Sequence, residues 1–170
     1  MIDTADIDGM FDVLVIKVDS IVDLTRHAPR SIYDTSVGGV AGLARAIDKA
    51  RAYNCDLLGE YWYGEDSGVD RGVLEFVGCK ADAFAEELKK HGDDAEVLAW
   101  LGERVSGKST EEIEAFNQQL WTAAPRNDHQ WAFVRNVVGS LDPKRQDICC
   151  FAAMTALDDK VYFARLKAGV

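Results

Sequence analysis

One stretch constrains this chain more than any other: Gly38 to Tyr63, reading GGVAGLARAIDKARAYNCDLLGEYWY, which puts charge on the apolar side of a helix. At about 100° per residue, a helix over 39–53 gathers Val40, Leu43, Ala44, Ile47 and Ala50 into one stripe. Arg51 then projects within roughly 20° of Val40, near the middle of that stripe. Asp48 sits at its edge, while Arg45 and Lys49 turn towards the far side. A guanidinium that faces a core needs a carboxylate or a bound anion. The nearest carboxylates in sequence are Asp48 and Glu60.

Length and charge narrow the setting. A chain of 170 residues suffices for one domain with a substantial core. Its net charge of −10, with no dense cluster of Lys and Arg, argues against a nucleic-acid partner. Acidic residues at Asp3, Asp6, Asp8 and Asp12 do not fit a signal peptide, and no apolar run reaches the length of a membrane span. The four cysteines, Cys55, Cys79, Cys149 and Cys150, form no CxxC pair. A reduced, cytoplasmic protein without a membrane partner is the reading.

Taken in order, FDVLVIKV (11–18) fits a strand or a buried helix, and its β-branched residues favour the strand. The polar connection 23–36 carries Pro29 and reads as a loop. Its Arg26, His27 and Arg30 are placed to reach back over the first main helix, although solvated side chains are the simpler reading. After that helix, DLLGEYWYGEDSG is extended, with Glu60 and Trp62 on one side and Tyr61 and Tyr63 on the other. Asp70 is a good N-cap for the short helix RGVLEFV that ends at Gly78. Helices follow over 80–91, over 94–105 behind Asp93 and Glu96, and over 110–123 behind the capping box Ser109/Glu112. Pro125 breaks the chain, and Asp128 caps a helix over 129–140. The tail from Ile148 opens as an apolar helix or buried run, and KVYFARL at its end fits a strand that could pair with 11–18.

Several of these segments resemble a known family when read in sequence: DLTRHAPRS (23–31), GLARAIDKARA (42–52), LGEYWY (58–63), FVG (76–78), EVLAWL (96–101) and STEEIEAFN (109–117). They are similar to domain of unknown function family 5069, small bacterial proteins without an assigned activity. The resemblance spans about residues 23 to 160. It implies a mostly helical single domain and carries over no catalytic residue. In the family's pattern a short cysteine–proline turn precedes the aspartate, whereas this chain has GEDSGV before Asp70. Residues 1–22 stand outside the pattern as an N-terminal extension, with a single helical domain over 23–170.

Familiar catalytic spacings are missing. The histidines His27, His91 and His129 make no HExxH, and there is no GxSxG. GGVAG (38–42) lacks the spacing of a nucleotide loop, and GKST (107–110) lacks the leading glycine of a Walker motif. No metal or cofactor is expected. What remains is a constellation in which Asp48, Glu60 and Tyr61 would do general acid–base work. Arg51, Asp70, Trp62, Trp100 and Asn117 would bind the ligand. A buried ion-pair network fixing the first helix explains the same charges, and Asn117 equally fits a buried amide that satisfies a loop carbonyl. The expectation is a mainly α, single-domain helical bundle of six or seven helices around Leu43, Ile47, Phe76, Phe84, Leu101, Phe116 and Val134, with a small β element at the termini. Its expected function is binding of a small polar or anionic metabolite, extending to cofactor-independent acid–base catalysis. The alternative is a non-enzymatic protein-interaction or scaffold module with an aromatic patch near Trp62, Trp100 and Trp121.

Overall fold

A helix that is apolar on most of its circumference must be covered on most of its circumference, and that requirement shapes the molecule. The computed structural model describes residues 21–169. It contains eight α-helices and, among the described residues, no strand. At its centre lies α1 (Leu43–Asn54), of which every residue from Leu43 to Ala50 is buried. Helices α2 (Gly68–Phe76) and α3 (Ala81–Leu88) pack on it, and a 3-10 turn at Gly64–Asp66, between α1 and α2 in sequence, packs on both α2 and α3. Helices α4 (Asp94–Leu101), α5 (Glu103–Ser106) and α6 (Thr110–Thr122) continue the shell. Helices α7 (Asp128–Leu141) and α8 (Phe151–Ala168) pack on each other, and α8 also packs on α6.

The first helix begins four residues later than the periodicity predicts. Gly38, Gly39 and Gly42 all have positive φ, so 38–42 is a turn, and α1 starts only after Gly42 at φ 75°. Packing also demands a bare backbone there: a Cβ on Gly38 would lie 2.7 Å from Val105 Cγ1. Val40 is therefore buried but off the helix, and the stripe it defined shifts. Arg45 and Lys49 do not turn outward as expected. Both are buried, because α1 is enclosed on the face that the stripe assigned to solvent.

Other departures have equally local causes. The helix expected over 94–105 is split at Gly102, whose φ of 50° and ψ of −129° interrupt it. That split brings the count to eight rather than six or seven. Ser67, not Asp70, caps α2, leaving Asp70 one turn inside and buried. Asn127 rather than Asp128 caps α7. KVYFARL is helical, because the 18 residues of α8 run straight through Asp158–Asp159. The expected terminal β element is thus not seen at 160–166, and the strand at 11–18 lies outside the described residues, as does most of the extension 1–22. The capping box Ser109/Glu112 is present in full.

Apolar burial falls into two clusters. Leu43, Ile47, Phe84 and Leu101 share the main one around α1. Phe76 and Phe116 are only half-buried at its margin, where their rings stack with centroids 4.0 Å apart. Val134 belongs to a separate cluster with Val138, Ile148 and Leu157, between α7 and α8.

Candidate functional site

The charges on α1 have nowhere to go but to partners, since stranding any of them in the interior costs several kcal/mol, on the order of 3–5. Asp48 meets Arg30 of the preceding loop. The Arg30 backbone N–H donates to Asp48 Oδ2 at 2.8 Å, its Nε to Oδ2 at 3.0 Å and its Nη2 to Oδ1 at 2.8 Å. Arg30 Nη1 also bonds Asp94 at the start of α4, and Arg51 Nη1 reaches the same carboxylate at 3.0 Å. Burial works against the Arg30 charge, but the two carboxylates outweigh it and raise its pKa. Asp94 is affected in mirror image: burial pushes its carboxyl up, and the Arg30 and Arg51 guanidinium groups more than reverse that, leaving it lowered. Arg51 Nε and Nη2 are buried, with no acceptor among the described residues.

A second arm joins α1 to α8. Arg45 forks onto Asp159 through Nη1 at 2.7 Å and Nη2 at 3.0 Å, and the Tyr61 hydroxyl donates to Asp159 Oδ1 at 2.9 Å. Burial, then the Asp159 carboxylate, raises the Tyr61 pKa, so the phenol stays a donor. A third arm joins α1 to α2. Lys49 Nζ lies 2.7 Å from Asp70 Oδ2 and 3.1 Å from Ser67 Oγ, and Gly64 N–H donates to the same Asp70 oxygen at 3.2 Å. Burial lowers the Lys49 pKa and raises that of Asp70, and their mutual attraction only partly offsets it.

The eight residues singled out from sequence do not converge. Asp48 is committed to Arg30, Tyr61 to Asp159 and Asp70 to Lys49, each on a different side of α1. Glu60 is exposed, and Arg51 meets Asp94 rather than Asp48 or Glu60. Trp62 is 67% exposed, whereas Trp100 is half-buried against Phe84 and His91. Trp121 is half-buried beside Tyr33. Asn117 is a clamp: its Oδ1 accepts from Ala41 N–H at 2.7 Å and its Nδ2 donates to Gly39 O at 2.8 Å. That clamp occupies an N–H of the glycine turn that an anion would need. Asn117→Ala should therefore cost about 2–3 kcal/mol in urea denaturation, by leaving both backbone groups unpaired. A loss below about 0.5 kcal/mol would show that the clamp does not hold the turn.

What sequence reading did not single out is the place where the Arg45–Asp159 arm meets the surface. A cleft of about 440 Å³ opens between the 26–31 loop and α8. Arg26, His27, Lys160 and Lys167 line it, with Ala28, Pro29, Ala156 and Phe163 as apolar walls and Asp159 among its lining residues. The Asp159 carboxylate already has Arg45 and Tyr61 as partners and Arg26 pairs with Asp23, which leaves Lys160 and Lys167 to set the sign of the cleft. Spacing along α8 gives no hint of this, because the loop residues lie more than a hundred positions away. Among the described residues, no three His, Cys, Asp or Glu side chains gather in a metal-holding arrangement. No described helix is long and apolar enough to cross a membrane.

The family model described as Domain of unknown function (DUF5069) matches residues 26–161, and the chain belongs to that family. The matched span runs from the loop that carries Arg30 through α8 as far as Val161. No curated protein matches the chain.

Proposed function

We propose that this member of the family binds a small anionic metabolite in the cleft between the 26–31 loop and α8. The observation that carries the reading is the local reversal of charge. Arg26, Lys160 and Lys167 line one cleft, with His27 beside them, in a chain whose net charge is −10; Arg26 is shared with Asp23, and the Asp159 carboxylate is committed to Arg45. Such a pocket concentrates anions against the general field of the protein. Its volume lies within the range of small-molecule sites. The apolar walls favour an anion with a small apolar body over a bare inorganic ion.

Acid–base catalysis by Asp48, Glu60 and Tyr61 finds no support in their separation, so binding is the reading we adopt. A thermal-shift titration with phosphate, citrate and phenyl phosphate tests it. At a hundredfold excess over Kd, a bound anion adds about 2.7 kcal/mol, which is roughly 5–10 °C for a chain of this size. The triple variant Arg26→Ala/Lys160→Ala/Lys167→Ala should lose that shift while its own Tm stays close to wild type, because these side chains are exposed. Equal shifts in both proteins would remove the cleft from the account. If none of these anions shifts wild type, the reading fails.

A further inference from the structure

The third arm of the charged web holds more than packing requires. Ser67 is the N-cap of α2, and its Oγ accepts from the Asp70 N–H at 3.3 Å. Lys49 Nζ stands 3.1 Å from the same oxygen, between Ser67 and Asp70. Ser67 is half-buried, while the neighbouring Gly68 is exposed. Neither backbone conformation nor packing asks for glycine at 68: its φ is not positive, and a Cβ there would meet nothing within 4 Å. Gly68, next to the half-buried Ser67, therefore borders open space. The first-turn N–H groups of Gly68 and Val69 have no acceptor within α2 and are donors for a developing oxyanion beside the serine. Asp70 is fully buried, and among the described residues its Oδ1 has no hydrogen-bond partner. That oxygen is a free site for a proton.

We propose that Ser67 is a nucleophile and Lys49 its general base, in a serine–lysine dyad that takes acyl groups from an activated ester or thioester. Lys49 and Asp70 rest as an ion pair 2.7 Å apart whose charges burial disfavours; when the ammonium proton passes to the carboxylate, a neutral amine stands beside Ser67. That amine takes the hydroxyl proton as Oγ bonds the acyl carbon. The bond from the acyl carbon to the alkoxide or thiolate breaks, and the leaving group departs with the proton as an alcohol or thiol. Water then adds to acyl-Ser67 with the same base, releasing the acid and restoring the hydroxyl. The inference is independent of the anion cleft, which lies against a different arm of the web.

The test uses the full chain, a fluorophosphonate probe and p-nitrophenyl acetate, read by intact mass and peptide mapping. Wild type should gain one probe per chain on the peptide containing Ser67. Ser67→Ala should label at least about 100-fold more slowly. Ser109→Ala, which removes the equivalent cap from α6, should label at the wild-type rate. Lys49→Arg keeps a cation opposite Asp70 but cannot give up its proton, so its rate should also fall about 100-fold or more. An unlabelled wild type, an adduct mapped elsewhere, or a Lys49→Arg protein that labels like wild type overturns the proposal. Should Lys49→Arg fail to fold, the mapped adduct and Ser67→Ala decide it.

Discussion

Asp70→Ala is expected to lose about 3–5 kcal/mol, because it leaves the Lys49 ammonium enclosed with only Ser67 for company. For a chain of this size that is a fall in Tm of roughly 6–20 °C. The loss should depend on pH with a definite sign. Burial already holds the Lys49 pKa below its ordinary value of 10.5 in the folded protein. The unfolded chain therefore binds the proton more tightly, and stability rises with pH between the folded and unfolded values. Removing Asp70 takes away the partner that opposes this shift, so the variant should recover part of its lost stability in denaturation at alkaline pH. The double variant Lys49→Met/Asp70→Leu, which deletes both charges at similar volume, should fall within about 1–2 kcal/mol of wild type or exceed it. If Asp70→Ala costs no more than an ordinary surface change, the pair is not buried.

Arg30→Met should be nearly as costly, at about 3–5 kcal/mol, since Arg30 is the principal partner of the buried Asp48 carboxylate and one of two cations on Asp94. Arg30→Lys should rescue little. A lysine cannot present the Nε and Nη2 fork that grips both Asp48 oxygens while Nη1 reaches Asp94. Acid denaturation supplies an independent check on the same arm. The Asp94 pKa is lowered below its ordinary 3.8 in the folded state by Arg30 and Arg51, against the opposing effect of burial. Its stabilisation is therefore complete above that value and is lost as pH falls through the lower folded pKa. Asp94→Asn should flatten the acid limb of the stability profile below about pH 4, measured by urea denaturation at stepped pH. An unchanged limb would mean that Asp94 is solvated rather than paired.

The sequence announced the helices more clearly than their partners. Capping boxes and i, i+3, i+4 stripes reflect local geometry, so the starts of α3, α4 and α6 were legible within a residue, while α3 ends three residues early and α4 stops at Gly102. The glycine turn was not, because a positive φ at Gly42 leaves no mark on a helical wheel, and with it went the direction of Arg51. The extended segment was legible for a simpler reason. Alternation puts Glu60 and Trp62 on one side and Tyr61 and Tyr63 on the other, and the structure exposes the first pair, half-buries Tyr61 and buries Tyr63. Arg45 and Lys49 turn to the far side of the stripe on a helical wheel, and nothing nearby in sequence marks Asp159 or Asp70 as their partners. Pairing across 114 positions, as in Arg45 with Asp159, is a property of packing alone. The tail was misjudged over a window too short to distinguish a strand from the end of a long helix.

Two kinds of charge are distinct in this protein: enclosed ones on α1 that hold the fold, and exposed ones around the cleft, which we propose as the ligand's contacts. Isothermal titration with phenyl phosphate, run on wild type, Lys160→Gln/Lys167→Gln and Arg51→Lys alongside a thermal melt of each, tests that separation most directly. The account predicts at least about tenfold weaker binding for the cleft variant with an unchanged melt, and near-normal binding for Arg51→Lys with a lowered melt. Loss of binding in Arg51→Lys, with the cleft variant binding as wild type does, would contradict it and return the site to the side of α1 that faces Asp94.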